Sequence, residues 1–185
     1  MKFDLQPTLS GEHLSLRPLR SDDGDAIFGA ASDPLIWEQH PARNRHIRSA
    51  FDRYFDDRLR SGGTLLIIDR LTGAVIGWSS YGNYDAALNE VEIGWTFLTR
   101  AQWGGATNRE LKSLMLAHAF RFVETVVFRI AKTNVRSQRA TAKIGGVLID
   151  RPAEIIFEGV KVDHLVYAVT KEAFAASACG RTVDA

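Results

Sequence analysis

The sequence predicts an α+β domain built on one mixed sheet, and three observations carry that prediction. Apolar residues recur in short alternating or continuous runs of strand length from Leu14 to Val169. Two segments, Arg48 to Arg60 and Thr107 to Glu124, instead repeat their apolar residues at helical spacing. The elements run strand, two helices, three strands, long helix, strand, short helix, two strands, with no internal repeat and no linker. A chain of 185 residues is expected to form one domain with a full core. That domain is placed at residues 1–176, ahead of a small, polar tail at 177–185 expected to be flexible.

Leu14-Ser15-Leu16-Arg17-Pro18-Leu19 alternates apolar with polar up to a proline and reads as the first strand. Ser21-Asp22-Asp23 opens a helix carrying Ala26, Ile27 and Ala30, and Ser32-Asp33-Pro34 breaks it. Leu35 to Ile47 follows no period. It holds Trp37, His40 and Pro41, and with Arg43, Arg45, His46 and Arg48 it reads as a solvated loop or a substrate-facing one. From Arg48 to Arg60 a helix lines up Ala50, Phe51, Tyr54, Phe55 and Leu59, ending at Ser61-Gly62-Gly63. Thr64 to Asp69 and Ala74 to Ser80 are strands around a turn at Leu71-Thr72-Gly73, and Tyr81 to Asn89 is read as a connection.

Val91 to Leu98 alternates again, with Val91, Ile93, Trp95 and Phe97 on one face and Glu92, Gly94, Thr96 and Leu98 on the other. The long helix from Thr107 to Glu124 turns Leu111, Leu114, Met115, His118 and Phe122 inward. A histidine inside such a stripe reads as a hydrogen-bonded core residue before a catalytic one. Val126 to Ala131 is a strand, and Ser137 to Ile144 a short helix closed by Gly145-Gly146. Strands at Val147 to Arg151 and Val162 to Val169 are joined through Pro152 and Glu158-Gly159, and Lys171 to Ala178 adds a last helical turn.

Composition narrows the function class. Hydrophobic residues make up 45% of the chain and charged residues 24%, and the net charge is only +1, which gives no reason to expect nucleic acid or a membrane surface as partner. The single cysteine, Cys179, cannot form an internal disulfide, so a reducing cytoplasm is the simplest expectation. Met1 to Pro7 lacks the apolar core of a signal peptide, and no run approaches the roughly 20 apolar residues of a membrane span.

The stretch Thr99-Arg100-Ala101-Gln102-Trp103-Gly104-Gly105-Ala106-Thr107-Asn108 joins a strand to the best helix in the chain. Small residues there bring backbone N–H groups close to a bound group, and the helix start adds unpaired donors and the positive end of its dipole. Such a turn suits a phosphate or pyrophosphate, or is simply a tight turn. It lacks the Gly-Lys-Ser/Thr ending of a nucleotide phosphate loop.

With this order of elements, five motifs resemble the Gcn5-related N-acetyltransferases, most closely the branch that acetylates ribosomal-protein N-termini (RimJ/RimL-like). They are Leu16-Arg17-Pro18-Leu19, Glu92-Ile93-Gly94-Trp95, Trp103-Gly104-Gly105-Ala106 with its helix, Asn134-Val135-Arg136-Ser137 leading to Lys143-Ile144-Gly145, and Asp163-His164-Leu165-Val166-Tyr167. The resemblance implies a three-layer α/β/α domain around a mixed, mostly antiparallel sheet of about seven strands. It implies acetyl-CoA as cosubstrate, no metal, and as acceptor an amine of a protein N-terminus or a small molecule. A homodimer is compatible with it.

By that resemblance Trp103, Gly104, Gly105, Ala106, Thr107 and Asn108 hold the pyrophosphate of coenzyme A. Phe97, Leu98 and Thr99 offer backbone groups to its pantetheine arm, and Ser137 and Asn134 also bind it, unless Asn134 is only a turn residue. Ala101 stands where the family has Gln or Arg, between Arg100 and Gln102, while Asn108 and Arg109 replace a small residue and a threonine. Acetyl transfer needs a neutral amine, a polarised carbonyl and a proton for the departing thiolate. Glu92 is the candidate base, or only a carboxylate that is solvated or paired with an arginine on the sheet face, with Glu90 behind it. Polarisation falls to a backbone N–H near Phe97 or Leu98. The tyrosine that protonates the thiolate in much of the family is absent, Thr141 standing in its place, and Ser137 is the candidate donor. Ser137 also reads as an N-cap of its own helix.

Overall fold

The computed structural model describes residues 2–157 and 159–177. Of the tail assigned to 177–185, residues 178–185, Cys179 among them, lie outside the described residues. The chain forms β1 (Leu9–Ser10), β2 (Leu14–Pro18), α1 (Gly24–Ala31), α2 (Arg48–Ser61), β3 (Thr64–Asp69), β4 (Val75–Asp85), β5 (Glu90–Leu98), α3 (Thr107–Ala119), β6 (Thr125–Ala131), α4 (Val135–Lys143), β7 (Val147–Phe157), β8 (Val160–Thr170) and α5 (Lys171–Ala176).

The strands lie in one sheet in the order β1-β2-β3-β4-β5-β6-β8-β7. The β5–β6 pair is parallel and every other pair antiparallel. The expected sheet of about seven strands has eight. The extra one, β1, is two residues long and pairs Leu9 with Leu16, too short to leave a periodic signal.

Each face of the sheet has its own core. Ile27 of α1 and Phe51, Tyr54 and Phe55 of α2 pack on Leu66, Trp78 and Phe97. Leu111, Met115, Leu116 and Ala119 of α3 pack on Leu65, Ile67, Tyr81, Val91 and Ile93, joined by Phe174 of α5. This is why Leu65, Leu66 and Ile67 read as a continuous apolar run: β3 is covered on both sides. Each such fully buried side chain contributes about 1.5–3 kcal/mol relative to exposure.

Local chemistry fixes the ends of the elements. Asp23 accepts two bonds from Arg17, at 2.8 and 2.6 Å, and one from the Arg20 amide at 2.8 Å, pinning the turn from β2 into α1. Burial works to raise the Asp23 pKa, but the Arg17 and backbone bonds outweigh it and hold the carboxyl below its usual range. Gly62 closes α2 at φ +65, the left-handed C-cap position that suits glycine.

Four expectations about helix and strand boundaries or faces change here. The long helix stops at Ala119 instead of running to Glu124, because the chain turns through Phe120 to Val123, burying both of those side chains before it enters β6. Tyr81 to Asp85 continues β4, and Arg151 to Phe157 continues β7 through Pro152, so two presumed loops are the ends of hairpins. A register shift between Ile149 and Ala153 accommodates that proline in the edge strand. The alternation of β5 breaks at Trp95, whose φ is +52: Trp95 and Thr96 together stand opposite Ser79. Val91, Ile93 and Leu98 therefore face α3 while Phe97 faces α1 and α2. His118 is a core residue, its Nε2 2.8 Å from the Asp4 carbonyl and its ring against Phe3, Tyr81 and Phe122.

Candidate active site

The site is organised by a parting of two strands. β5 pairs with β6 only from Glu90 to Glu92, opposite Thr125 to Val127. Beyond that point β5 bulges at Trp95 and follows β4, while β6 follows β8. Among the described residues, the edge of β5 that faces β6 is thus without a strand partner from Ile93 to Leu98. The groove so opened runs toward the turn that starts α3.

That turn carries the glycine stretch. Gly104 has φ +75, and a side chain added at Gly104 or Gly105 would meet nothing within 4 Å. Ala106 is the N-cap of α3 and supplies no side-chain acceptor. Among the described residues, the amides from Gly104 to Arg109 find no backbone acceptor. They form an open, uncapped cluster of donors at the positive end of a thirteen-residue helix. Thr107 donates to Gln102 Oε1 at 2.6 Å, and the Trp103 indole donates to the Leu98 carbonyl at 3.1 Å, so the turn is tied to the end of β5. Beside it lies a cavity of about 510 Å³ lined by His13, Arg70, Gln102, Ala106 and Thr107, among others.

The start of α4 closes the far side. The helix begins at Val135, two residues before the expected start, and Asn134 is its N-cap: Oδ1 accepts from the Ser137 amide at 3.1 Å. Ser137 is therefore not the cap of its helix, which frees its hydroxyl from that task. Arg136 joins three parts of the site. Its guanidinium stacks on Trp103, 3.9 Å from the ring centroid, and donates to the Ile36 carbonyl at 2.9 Å, while its amide donates to Gln39 at 3.3 Å.

Both candidate carboxylates are buried and paired. Glu92 accepts from Asn83 at 2.7 Å and from Arg129 of β6; Glu90 accepts from Arg151 of β7 at 2.8 and 2.9 Å. On this face the segment from Pro34 to His46 folds against α2. Arg45 lies over the Tyr54 ring at 3.4 Å, and a second cavity, of about 300 Å³, opens between Ala42, Arg45, Tyr54 and Ile156. His40 is pushed down to about 3, first by burial and then by the positive charge of Arg45, so it stays neutral near pH 7. Among the described residues no cluster of His, Cys, Asp and Glu is placed to hold a metal ion.

Sequence reasoning missed Arg129, Arg136 and Lys112. Arg129 and Arg136 carried no periodic signal. Lys112 did: Leu111, Met115, Leu116 and Ala119 sit at i−1, i+3, i+4 and i+7 from it, all buried, so Lys112 belongs to the inner face of α3.

The family model of the acetyltransferase (GNAT) domain matches residues 13–147. The chain belongs to the GNAT acetyltransferase family. No curated protein sequence matches it. Its fold is similar to that of a GCN5-related N-acetyltransferase from Brucella melitensis, with a TM-score of 0.79 and 20% identity over 95% of this chain and 83% of that one. It is also similar to Mycobacterium smegmatis RimJ, solved in complex with CoA-disulfide, with a TM-score of 0.71 and 20% identity over 97% and 94% of the two chains. A ribosomal-protein-S5-alanine acetyltransferase from Vibrio fischeri gives a TM-score of 0.66 and 16% identity over 90% and 97%. The uncapped donors at Gly104 to Arg109 and the unpaired edge of β5 fit the pyrophosphate and amide-bearing arm of the coenzyme A that a GNAT acetyltransferase uses.

Proposed function

We propose that this chain is an N-acetyltransferase that moves an acetyl group from acetyl-CoA directly to a primary amine, on a protein N-terminus or a small molecule, within a ternary complex in the cytoplasm. The observation that carries this reading is the parting of β5 and β6, which leads into the uncapped start of α3. Gly104, Gly105, Ala106, Thr107 and Asn108 hold the pyrophosphate through backbone amides, with Trp103 forming the wall. Phe97, Leu98 and Thr99 supply the backbone edge, and Asn134 and Ser137 line the opposite side. Acetyl-CoA supplies the activated thioester.

Glu92 takes up the proton of the acceptor amine through water. Its carboxylate is already held by Asn83 and Arg129, so a proton relayed by water fits better than direct contact. The acceptor enters on the α2 side, between the segment from Pro34 to His46 and the hairpin of β7 and β8, where the 300 Å³ cavity lies. The ribosomal-protein branch is supported by likeness of fold to RimJ and the S5-alanine enzyme. No helix among the described residues is long and apolar enough to cross a membrane.

Thiol release from acetyl-CoA in the presence of a panel of N-terminal peptides and small amines tests the proposal. Release that requires an added amine is expected, with Glu92→Gln slower by about 10²–10⁴-fold. Stabilisation of the protein by acetyl-CoA without any turnover would favour a CoA-binding module of the same fold.

A further inference from the structure

Lys112 is 6% exposed and has no carboxylate within ion-pairing reach among the described residues. A lysine buried without a counter-charge is costly and calls for a reason. Its ammonium donates to Thr96 Oγ1 at 2.8 Å and Ser79 Oγ at 3.2 Å, and lies 5.7 Å from the centre of the Phe128 ring. Thr96 follows the bulge of β5, and Phe128 is the first residue of β6 beyond its pairing with β5. Lys112 thus bridges the two strands from the α3 face where they part. Glu92 and Arg129 bridge them from the opposite face. Two of the three ammonium hydrogens are committed to hydroxyls, which leaves one for a group between the strands.

We propose that Lys112 is the acid that protonates the coenzyme A thiolate released by acetyl transfer. This rests on the acetyltransferase reading above. As the amine nitrogen bonds to the acetyl carbon, the C–S bond breaks and the electron pair stays on sulfur. An N–H bond of the Lys112 ammonium then breaks and an S–H bond forms, leaving a neutral lysine. The acceptor amine gives its proton to water on the Glu92 side, and Lys112 recovers one from solvent as the products leave. Acid and base lie on opposite faces of the sheet, so the amine attacks from one side and the thiolate is met from the other. This supplies a proton donor where Thr141 stands in place of the family's tyrosine; Thr141 is buried, with its methyl group beside Gly146.

The lysine is tuned for the task. Burial brings its pKa down to about 7, and no neighbouring charge opposes this. The Tyr81 hydroxyl on β4 is spent on the Met115 carbonyl, Glu92 and Arg129 are paired with each other on the far face, and Glu110 on α3 accepts from the His13 and Leu14 amides.

The test combines binding with turnover. Bound CoA should show thiolate ultraviolet absorbance at a lower pH than free CoA in the wild type, and not in Lys112→Met. By NMR titration of the Lys112 ε-carbon in the wild-type protein, CoA should raise the lysine pKa while desulfo-CoA should not. Lys112→Met should keep CoA-induced stabilisation but lower kcat by about 10²–10⁴-fold with KM for acetyl-CoA little changed. Ser137→Ala should keep the thiolate signal. Loss of the signal in Ser137→Ala with its retention in Lys112→Met would overturn the assignment, as would a Lys112 titration indifferent to CoA. If CoA neither stabilises nor perturbs the wild type, the acetyltransferase reading falls, and this inference with it. The NMR arm needs no variant, so poor folding of Lys112→Met leaves the assignment open to refutation.

Discussion

Arg129 of β6 reaches Glu92 of β5 at the last point where the two strands are still paired, and Glu92 is buried there with Asn83 as its other partner. The pair closes the base of the groove on the α2 face. Breaking it by removing one partner leaves a buried charge, which costs far more than replacing both. Arg129→Met should therefore destabilise the protein by about 3–5 kcal/mol, and adding Glu92→Gln should restore most of that loss. Urea unfolding of the two single variants and the double variant measures this. A double variant no more stable than Arg129→Met would remove the pair as a stabilising unit.

Lys112 imposes the opposite pH dependence from that of a paired lysine. Its pKa is about 7 in the folded chain against 10.5 unfolded, so between those values the unfolded chain binds the extra proton. Stability then rises with pH across that window. Lys112→Met, which has no ammonium to desolvate, should melt above the wild type near pH 7, with the gap closing toward about pH 10. Tm measured for both proteins across the window checks the sign.

His40 acts at the acid end. It titrates at about 3 in the fold against 6.5 unfolded, so stability is lost as pH falls from about 6.5 toward 3. His40→Asn keeps an acceptor for the Ala42 amide, now bonded to His40 Nδ1 at 2.9 Å. The variant should show a shallower fall in Tm between about pH 6.5 and 4 than the wild type. Parallel curves would exclude His40 as a source of the acid sensitivity.

The two glycines of the turn should differ although both have open space around them. Gly104 has φ +75 and Gly105 has no such constraint. Gly104→Ala should cost about 1 kcal/mol and weaken stabilisation by CoA, whereas Gly105→Ala should be close to neutral for folding. Thermal melts with and without CoA separate the two effects.

The layout of the domain was legible because each face of the sheet has its own apolar cover. Two buried faces write continuous runs such as Leu65 to Ile68, and helices that cover them write a stripe. The bulge at Trp95 was not legible. One extra residue in a strand leaves the residue types unchanged and reverses the face of everything after it, so Phe97 and Val91 read as neighbours and lie on opposite sides. The glycine turn announced itself through residue type, because φ above zero restricts which residues fit, whereas the cap of α4 was misplaced: Ser137 reads as the N-cap and Asn134 holds that position. Arg129, Arg136 and Lys112 act through partners distant in sequence, and only their placement in the fold brings those partners together.

In the proposed complex, coenzyme A lies in the groove between β5 and β6 with its pyrophosphate on the start of α3. Amide hydrogen exchange of the wild-type protein, with and without CoA, reads that site directly. Slowed exchange is expected at Phe97 and Leu98 and from Gly104 to Arg109, with little change at β1 to β3. Protection confined to the cavity beside His13 and Arg70, or absent from Gly104 to Arg109, would contradict it.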